Sequence, residues 1–378
     1  MISAIASLAT LVMMQQAGAT IHPDMPIAKP PKAAATVELA TPPPKPAMTN
    51  AGNDPRTGKR PLKSGLGPED YAYVMPEGVT TKEVAYYSDG VACYAKIFFP
   101  KGFDPKTSKL PAVVMGQGWA GTHVSIEKYG AAFASHGLVA MVIDYRGWGN
   151  SEGYVRLLSP TNLGGGMERD ENRHKTIKNA TVEVKRTRLL AKDQQEDYRN
   201  AISYIQGEPG VNPDLIGVWG SSYAGGNSLA VAGQDARVKA IAVQIPGIGG
   251  NPDGTPPTRY SGPMLQDAIK RARTGQGDEM WTGYSRSLLI DNEMIEANAE
   301  NNTLQWAKNI GTRPFMVIVA QYDELINNEQ AGKKALSFAK GPTEYIVVPD
   351  IGHFEMYSGK PFEISSEAAA RWFTTYLK

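Results

Sequence analysis

The sequence predicts an α/β fold in which a parallel sheet is covered by helices on both faces, and three observations carry that prediction. From Val84 onward, short apolar β-like runs alternate with amphipathic helical stretches. Several of the runs are continuously apolar, as Pro111 to Met115 and Phe315 to Ala320 are, which is how a strand buried on both faces reads. One run, Leu215 to Trp219, breaks at Gly220 into two serines and then a glycine-rich helix start, a strand-turn-helix corner.

The elements follow in order. Ile2 to Met14 is an uncharged, mostly apolar run followed by Ala17-Gly18-Ala19, a small-x-small site, so residues 1–19 read as a signal peptide and the protein as secreted or periplasmic. No lysine or arginine precedes that run, an atypical start for such a segment, and it is too short to span a bilayer. Pro23 to Pro61 carries 10 prolines among alanines and lysines, a composition that favours extended, solvated chain, so residues 20–70 read as a tether. The folded domain is expected over residues 71–378. Val84 to Tyr87 and Val91 to Phe99, hinged at Asp89-Gly90, form a leading hairpin. Pro111 to Met115 is a strand, Glu127 to His136 a helix and Leu138 to Ile143 the next strand. Asp193 to Gln206 puts Tyr198, Ala201, Ile202 and Ile205 on one helical face. Leu215 to Trp219, Val238 to Ile245, Phe315 to Ala320 and Tyr345 to Val348 are further strands, and Ser365 or Ser366 caps a last helix carrying Ala369, Trp372, Phe373 and Tyr376. Gly153 to Arg188 and Asn251 to Arg313 exceed an ordinary connection and read as insertions, the second as a helical cap.

Composition excludes some functions. Lysine and arginine total 39 against 38 acidic residues, so no overall field draws the chain to nucleic acid or an anionic membrane. The partner is expected to be a small or neutral molecule. The single cysteine, Cys93, allows neither an intrachain disulfide nor a cysteine metal cluster.

The corner near residue 220 holds the chemistry. Ser222 has Gly220 two residues before it and Ala224 two after, whereas Ser221 would have Trp219 and Tyr223, too bulky for so tight a turn. A serine hydroxyl needs a base to take its proton, and the base needs a group that fixes its tautomer. Of five histidines only His353 directly follows a late strand, and Asp323 lies just past the strand that ends at Ala320. The order serine, acid, histidine matches a sheet-built triad. Glu324 is the rival acid and Asp350 a weaker one. Past the strand at Pro111 to Met115, Gly116-Gln117-Gly118-Trp119-Ala120-Gly121 can turn sharply enough to offer an oxyanion donor, and the best donors are the amides of Trp119 and Tyr223. Gln117, Trp119, Tyr145, Trp148, Tyr260 and Trp281 are the candidate walls of a substrate pocket.

With these motifs the chain resembles the α/β-hydrolase superfamily over Val84 to Lys378. Asp144-Tyr145-Arg146-Gly147-Trp148-Gly149-Asn150-Ser151 is similar to its Asp-x-Arg-Gly-x-Gly-x-Ser turn, and Gly207 to Pro213 resembles the acetylxylan-esterase-related and S15-peptidase-like branch. The resemblance implies about eight mostly parallel strands, a cap after the sixth, and ester or amide hydrolysis through an acyl-serine with no metal or organic cofactor. Gln117 stands where a histidine is usual and Ala224 where glycine is commonest, but both keep their backbone donors. The charged run Glu168 to Lys192 reads as a solvated helix or lid. The expected activity is a serine carboxylic-ester hydrolase acting on a small ester, an acetylated sugar, a lactone or a polyester fragment. The alternative is a proline-specific S15-type peptidase, for which Glu279, Glu293 or Glu296 of the cap would bind the peptide amine; a non-catalytic binding module is a third reading.

Overall fold

The computed structural model describes residues 61–157, 181–255, 263–277, 279–281 and 289–378. Its centre is an eight-stranded sheet built from β1 (Thr80–Ser88), β2 (Val91–Phe99), β3 (Leu110–Gly116), β4 (Val139–Ile143), β7 (Val211–Ser221), β8 (Val238–Gln244), β11 (Phe315–Ala320) and β12 (Thr343–Val348). Two small hairpins lie outside it: β5 (Tyr154–Leu157) with β6 (Val182–Lys185), and β9 (Glu279–Trp281) with β10 (Leu289–Asp291). The order across the sheet is β1-β2-β4-β3-β7-β8-β11-β12; β1 and β2 are antiparallel additions, and every pair from β4 to β12 is parallel. The central strands are buried on both faces because helices cover both. On β7, Gly217 lies against Phe373 of α6 (Gly359–Tyr376), while Gly220, three residues on, lies against Ala224 and Ser228 of α3 (Tyr223–Gln234). An odd spacing along a strand means opposite faces, so α6 and α3 sandwich the sheet. Helix α1 (Glu127–Ser135) joins α6 through Phe133 and Phe373, and α2 (Ala191–Gln206) packs with α3.

Most predicted strands fall where the apolar runs placed them, and three expectations change. The last helix begins at Gly359 with Ser358 as its cap residue, not Ser365 or Ser366. Both of those serines are buried inside the helix, where each hydroxyl bonds a carbonyl three residues back and so needs no terminus. Within the described part of the charged run Val182–Lys185 is a strand: Val182 and Val184 alternate with Glu183 and Lys185, a two-residue period that pairs with Tyr154–Leu157, and only Ala191 and Lys192 at its end are helical, as the start of α2. The end of the expected tether is docked rather than solvated. Leu66 joins the core, Lys63 pairs with Asp70, and the Lys128 ammonium donates to the Asp70 carbonyl. The segments read as signal peptide and as tether up to residue 60 lie outside the described residues. The second insertion follows β8, the sixth strand of the sheet, and supplies α4 (Pro263–Thr274), α5 (Asn292–Ala299) and a 3-10 helix at Leu304–Ile310. Among the described residues no helix is long and apolar enough to cross a membrane.

Candidate active site

The parallel strands present their carboxyl ends to one edge, where open α/β sheets place ligands, and the predicted residues converge there. Ser222 sits between β7 and α3 with φ +56° and ψ −123°, a backbone shape an L-residue adopts at a cost of about 1–3 kcal/mol. Three main-chain bonds hold it there. Its N–H donates to the Gln244 carbonyl at 2.9 Å, and its carbonyl accepts from Gly225 at 2.8 Å and Gly247 at 2.7 Å. The turn closes because Gly220 has no side chain: a Cβ there would lie 2.1 Å from the Ala224 carbonyl oxygen.

His353 lies at the start of the 3-10 turn His353–Tyr357 that follows β12, and its Nε2 is 2.9 Å from Ser222 Oγ. Its Nδ1 is 3.0 and 2.9 Å from the two carboxylate oxygens of Asp323, beyond the end of β11. Asp323 Oδ1 also accepts from the main-chain N–H of Leu325 at 3.0 Å and of Ile326 at 2.8 Å, which fixes the plane of the carboxylate. The side chains of Asp323 and His353 are 0% and 2% exposed, so their interaction is little screened by solvent. Glu324 faces the backbone instead. Its Oε2 accepts the His353 N–H at 2.9 Å, and burial raises its pKa above the ordinary carboxylate value. Asp350, in a left-handed turn (φ +59°), donates its N–H to the Gln321 side chain.

The glycine-rich loop after β3 lies against the serine: a Cβ on Gly118 would sit 2.9 Å from Ser222 Cβ and 3.3 Å from Oγ. Tyr223 is the first residue of α3, so its N–H is one of the helix-start donors that have no partner within the helix, at the positive end of the helix dipole. The rings of Trp119 and Tyr223 meet edge to face at 5.2 Å, and the Tyr223 phenol donates to Asn298 on cap helix α5. This places Trp119 and Tyr223 between the serine and the cap. Other expected wall residues are turned elsewhere. Tyr145 is core, its hydroxyl filling the space beside Gly116 with that of Tyr198, because the small residue at 116 leaves room for both phenols. The Trp148 indole donates to the Arg188 carbonyl at 2.8 Å, tying down the end of the first insertion. Gln117 is fully buried beside Gly121, and its amide atoms have no hydrogen-bond partner among the described residues. Tyr260 lies outside the described residues, as do the side chains of Trp281 and Glu279.

A second histidine-carboxylate pair supports the loop, one that reading along the chain passed over. His123 offers both its backbone N–H and its Nδ1 to Asp144, each at 2.6 Å, and Asp144 also accepts the Asn150 N–H at 2.9 Å. Burial works against a charge on His123, but the adjacent Asp144 carboxylate outweighs it and the pKa is raised. The signal for this pair was the aspartate that opens the Asp-x-Arg-Gly turn; its partner, 21 residues earlier, is adjacent only once β3 and β4 pair. Arg146 of the same turn holds buried Asp197 on α2 at 2.7 Å.

Comparison with known proteins agrees with this architecture. The family described as X-Pro dipeptidyl-peptidase (S15 family) matches residues 89–309, more than half of the chain. A protein from the traX-finO intergenic region of Escherichia coli is 24% identical, the match covering 77% of this chain and 97% of that one. The α/β-hydrolase GrgF from Penicillium sp. sh18 superposes with a TM-score of 0.58 at 19% identity, over 79% of this chain and 99% of that one. An acetyl xylan esterase from Paenibacillus sp. R4 superposes with a TM-score of 0.50 at 20% identity, over 81% and 87%.

Proposed function

The chain belongs to the X-Pro dipeptidyl-peptidase (S15) family of α/β-hydrolase fold, and from that premise we propose that this hydrolase cleaves small, uncharged carboxylic esters through an acyl-serine. Ser222 is the proposed nucleophile, His353 the general base and then acid, and Asp323 the residue that holds His353 in the tautomer with its proton on Nδ1. The amides of Trp119 and Tyr223 are the proposed oxyanion donors, each worth about 3 kcal/mol of barrier in sites of this kind.

One observation favours an ester over a peptide: among the described residues, the candidate acids Glu293 and Glu296 are already paired with arginines. Arg188 pairs with Glu293 and, at 3.3 Å, with Asp291. Arg271 pairs with Asp267 and Glu296, each at 2.7 Å. A peptide amine docking at Glu293 or Glu296 would have to displace a partly buried guanidinium, leaving that cation unpaired at a cost of several kcal/mol. Glu296 Oε1 is buried without a hydrogen bond among the described residues, but the carboxylate's charge is already balanced. An apolar ester asks for no such exchange.

The test compares p-nitrophenyl butyrate with a glycyl-prolyl p-nitroanilide under the same conditions, with Ser222→Ala as control. The ester is expected to be cleaved with kcat/KM at least tenfold higher, and Ser222→Ala to be inactive on both. Preferential cleavage of the anilide, lost in Glu296→Gln, would establish the peptidase reading instead. Export through residues 1–19 belongs to the same proposal and is checked by amino-terminal sequencing of protein recovered outside the cytoplasm.

A further inference from the structure

The serine rejected as nucleophile has a place of its own. Ser221 ends β7, is fully buried, and its Oγ lies 2.7 Å from the phenol oxygen of Tyr357. Tyr357 closes the same 3-10 turn that His353 opens. Gln244, at the end of β8, donates through Nε2 to Ser221 Oγ at 3.2 Å and to the Tyr129 hydroxyl at 3.0 Å, while its carbonyl receives the Ser222 N–H. The Tyr129 hydroxyl in turn donates to the Met356 carbonyl at 3.2 Å, and the Lys128 ammonium to the Tyr357 carbonyl. Both amide protons of Gln244 and the Tyr129 proton thus have acceptors, and the Ser221–Tyr357 pair shares one further bond. The nucleophile strand and the histidine turn are therefore joined twice: above by Ser222 Oγ to His353 Nε2, and below by Ser221 Oγ to Tyr357.

We propose that Ser221 is a positioning residue which, through Tyr357, sets the separation of Ser222 and His353; this rests on the hydrolase reading above. Asp323 anchors the imidazole from the β11 side, and the Ser221–Tyr357 bond anchors the far end of its turn from the β7 side. Without that bond the far end of the turn keeps only the main-chain bonds from Lys128 and Tyr129, and the Tyr357 side chain is free to shift. Removing the Ser221 hydroxyl leaves the buried Tyr357 phenol without its partner, and removing the phenol leaves Ser221 Oγ only its bond from Gln244, so the turn shifts in either case. A displacement approaching 1 Å between reacting groups lowers a rate by about a hundredfold.

The test uses Ser221→Ala, Tyr357→Phe, the double variant and Ser221→Thr in the full chain, with p-nitrophenyl butyrate turnover and the rate of labelling by a fluorophosphonate. Each single variant is expected to lose about ten- to a hundredfold in kcat and in labelling rate, with KM within twofold. The double variant should lose no more than the worse single one, and the acid limb of the kcat/KM pH profile should move in all three. Ser221→Thr, which keeps the hydroxyl, should recover most of the activity. Folded single variants with kcat within twofold of wild type overturn the proposal, as do losses that multiply in the double variant or losses that track the melting temperature while the pH profile stays fixed. If Ser222→Ala is inactive while Ser221→Ala is unaffected, the hydrolase reading stands and the positioning role falls. A wild-type protein that neither turns over the ester nor takes the label removes both.

Discussion

Asp323→Asn tested against Glu324→Gln separates the two adjacent acids, and the structure sets the size of each effect. Asp323 Oδ1 accepts the N–H groups of Leu325 and Ile326, so an asparagine keeps its oxygen there and turns its NH2 toward His353. Nδ1 lies 2.9 Å from that NH2 and 3.0 Å from the retained oxygen, so the amide N–H competes for its lone pair and draws the ring proton onto Nε2, facing Ser222, which weakens the base. Turning the amide over to restore the tautomer breaks two main-chain hydrogen bonds at about 1 kcal/mol each. The lost attraction between carboxylate and imidazolium adds about 4 kcal/mol for a charge separation near 4 Å at an effective dielectric of 20. The sum of about 6 kcal/mol corresponds to a fall in kcat of roughly 10⁴, in line with the loss seen when such an acid becomes an amide in other triads. Glu324→Gln keeps an acceptor for the His353 N–H and loses at most about 1 kcal/mol, under about tenfold. The assay is steady-state hydrolysis of p-nitrophenyl butyrate, with thermal melting to confirm that both variants fold. If Asp323→Asn retains more than a tenth of wild-type kcat, or Glu324→Gln falls further than Asp323→Asn, the assignment of the acid is wrong.

Other perturbations reach the same site from different sides. Gly118→Ala would place a methyl 2.9 Å from Ser222 Cβ, pushing the loop away from the proposed nucleophile; kcat/KM should drop by about a hundredfold while the melting temperature moves little, and the two readouts falling together would refute it. Gly220→Ala puts its Cβ 2.1 Å from a main-chain carbonyl that cannot yield, so a loss of about 3 kcal/mol in chemical denaturation is expected, whereas a stability within 0.5 kcal/mol (roughly) of wild type would show the elbow to be pliable. For His123 the folded pKa is raised, so its contribution is fully present below the unfolded value near 6.5 and is lost as pH climbs through the folded value. The stability gap between wild type and His123→Gln should therefore be widest in acid and narrow above neutrality, and urea melts from pH 5.5 to 8.5 showing a gap that widens would contradict this. Glu324 is also raised, but by burial, so ionising it weakens the fold. Relative to Glu324→Gln, wild type should lose stability as pH rises above about 4.5, and melts from pH 4 to 8 would reveal the opposite trend if the side chain is not buried as described.

Much of this site is legible along the chain because its chemistry sits at the ends of continuously apolar strands. Such runs announce themselves, and the residue just past each one is fixed by the strand's own end. Ser222 could be told from Ser221 by the size of the residues two positions away, since the corner is a local steric event. The acid was narrowed to neighbours, Asp323 and Glu324, but their side chains leave the backbone on different headings, and only the packed loop shows which meets the imidazole. The wall residues are the least legible along the chain. Tyr145 carries an aromatic ring suited to a pocket or a core equally, and what decides is the gap left by Gly116 and shared with Tyr198. Ser365 and Ser366 misled because serine is favoured at helix starts, whereas a buried serine is equally satisfied by the carbonyl of the preceding turn. By itself, then, the sequence determined the fold class and singled out Ser222 and His353 as candidates, which depend on periodicity and short-range sterics. Tertiary structure alone brought Asp323 against His353, paired Glu293 and Glu296 with arginines, and made the His123–Asp144 support and the Ser221–Tyr357 tie, because each is a contact between segments far apart along the chain, and distance in space is set by how the sheet pairs rather than by any local pattern.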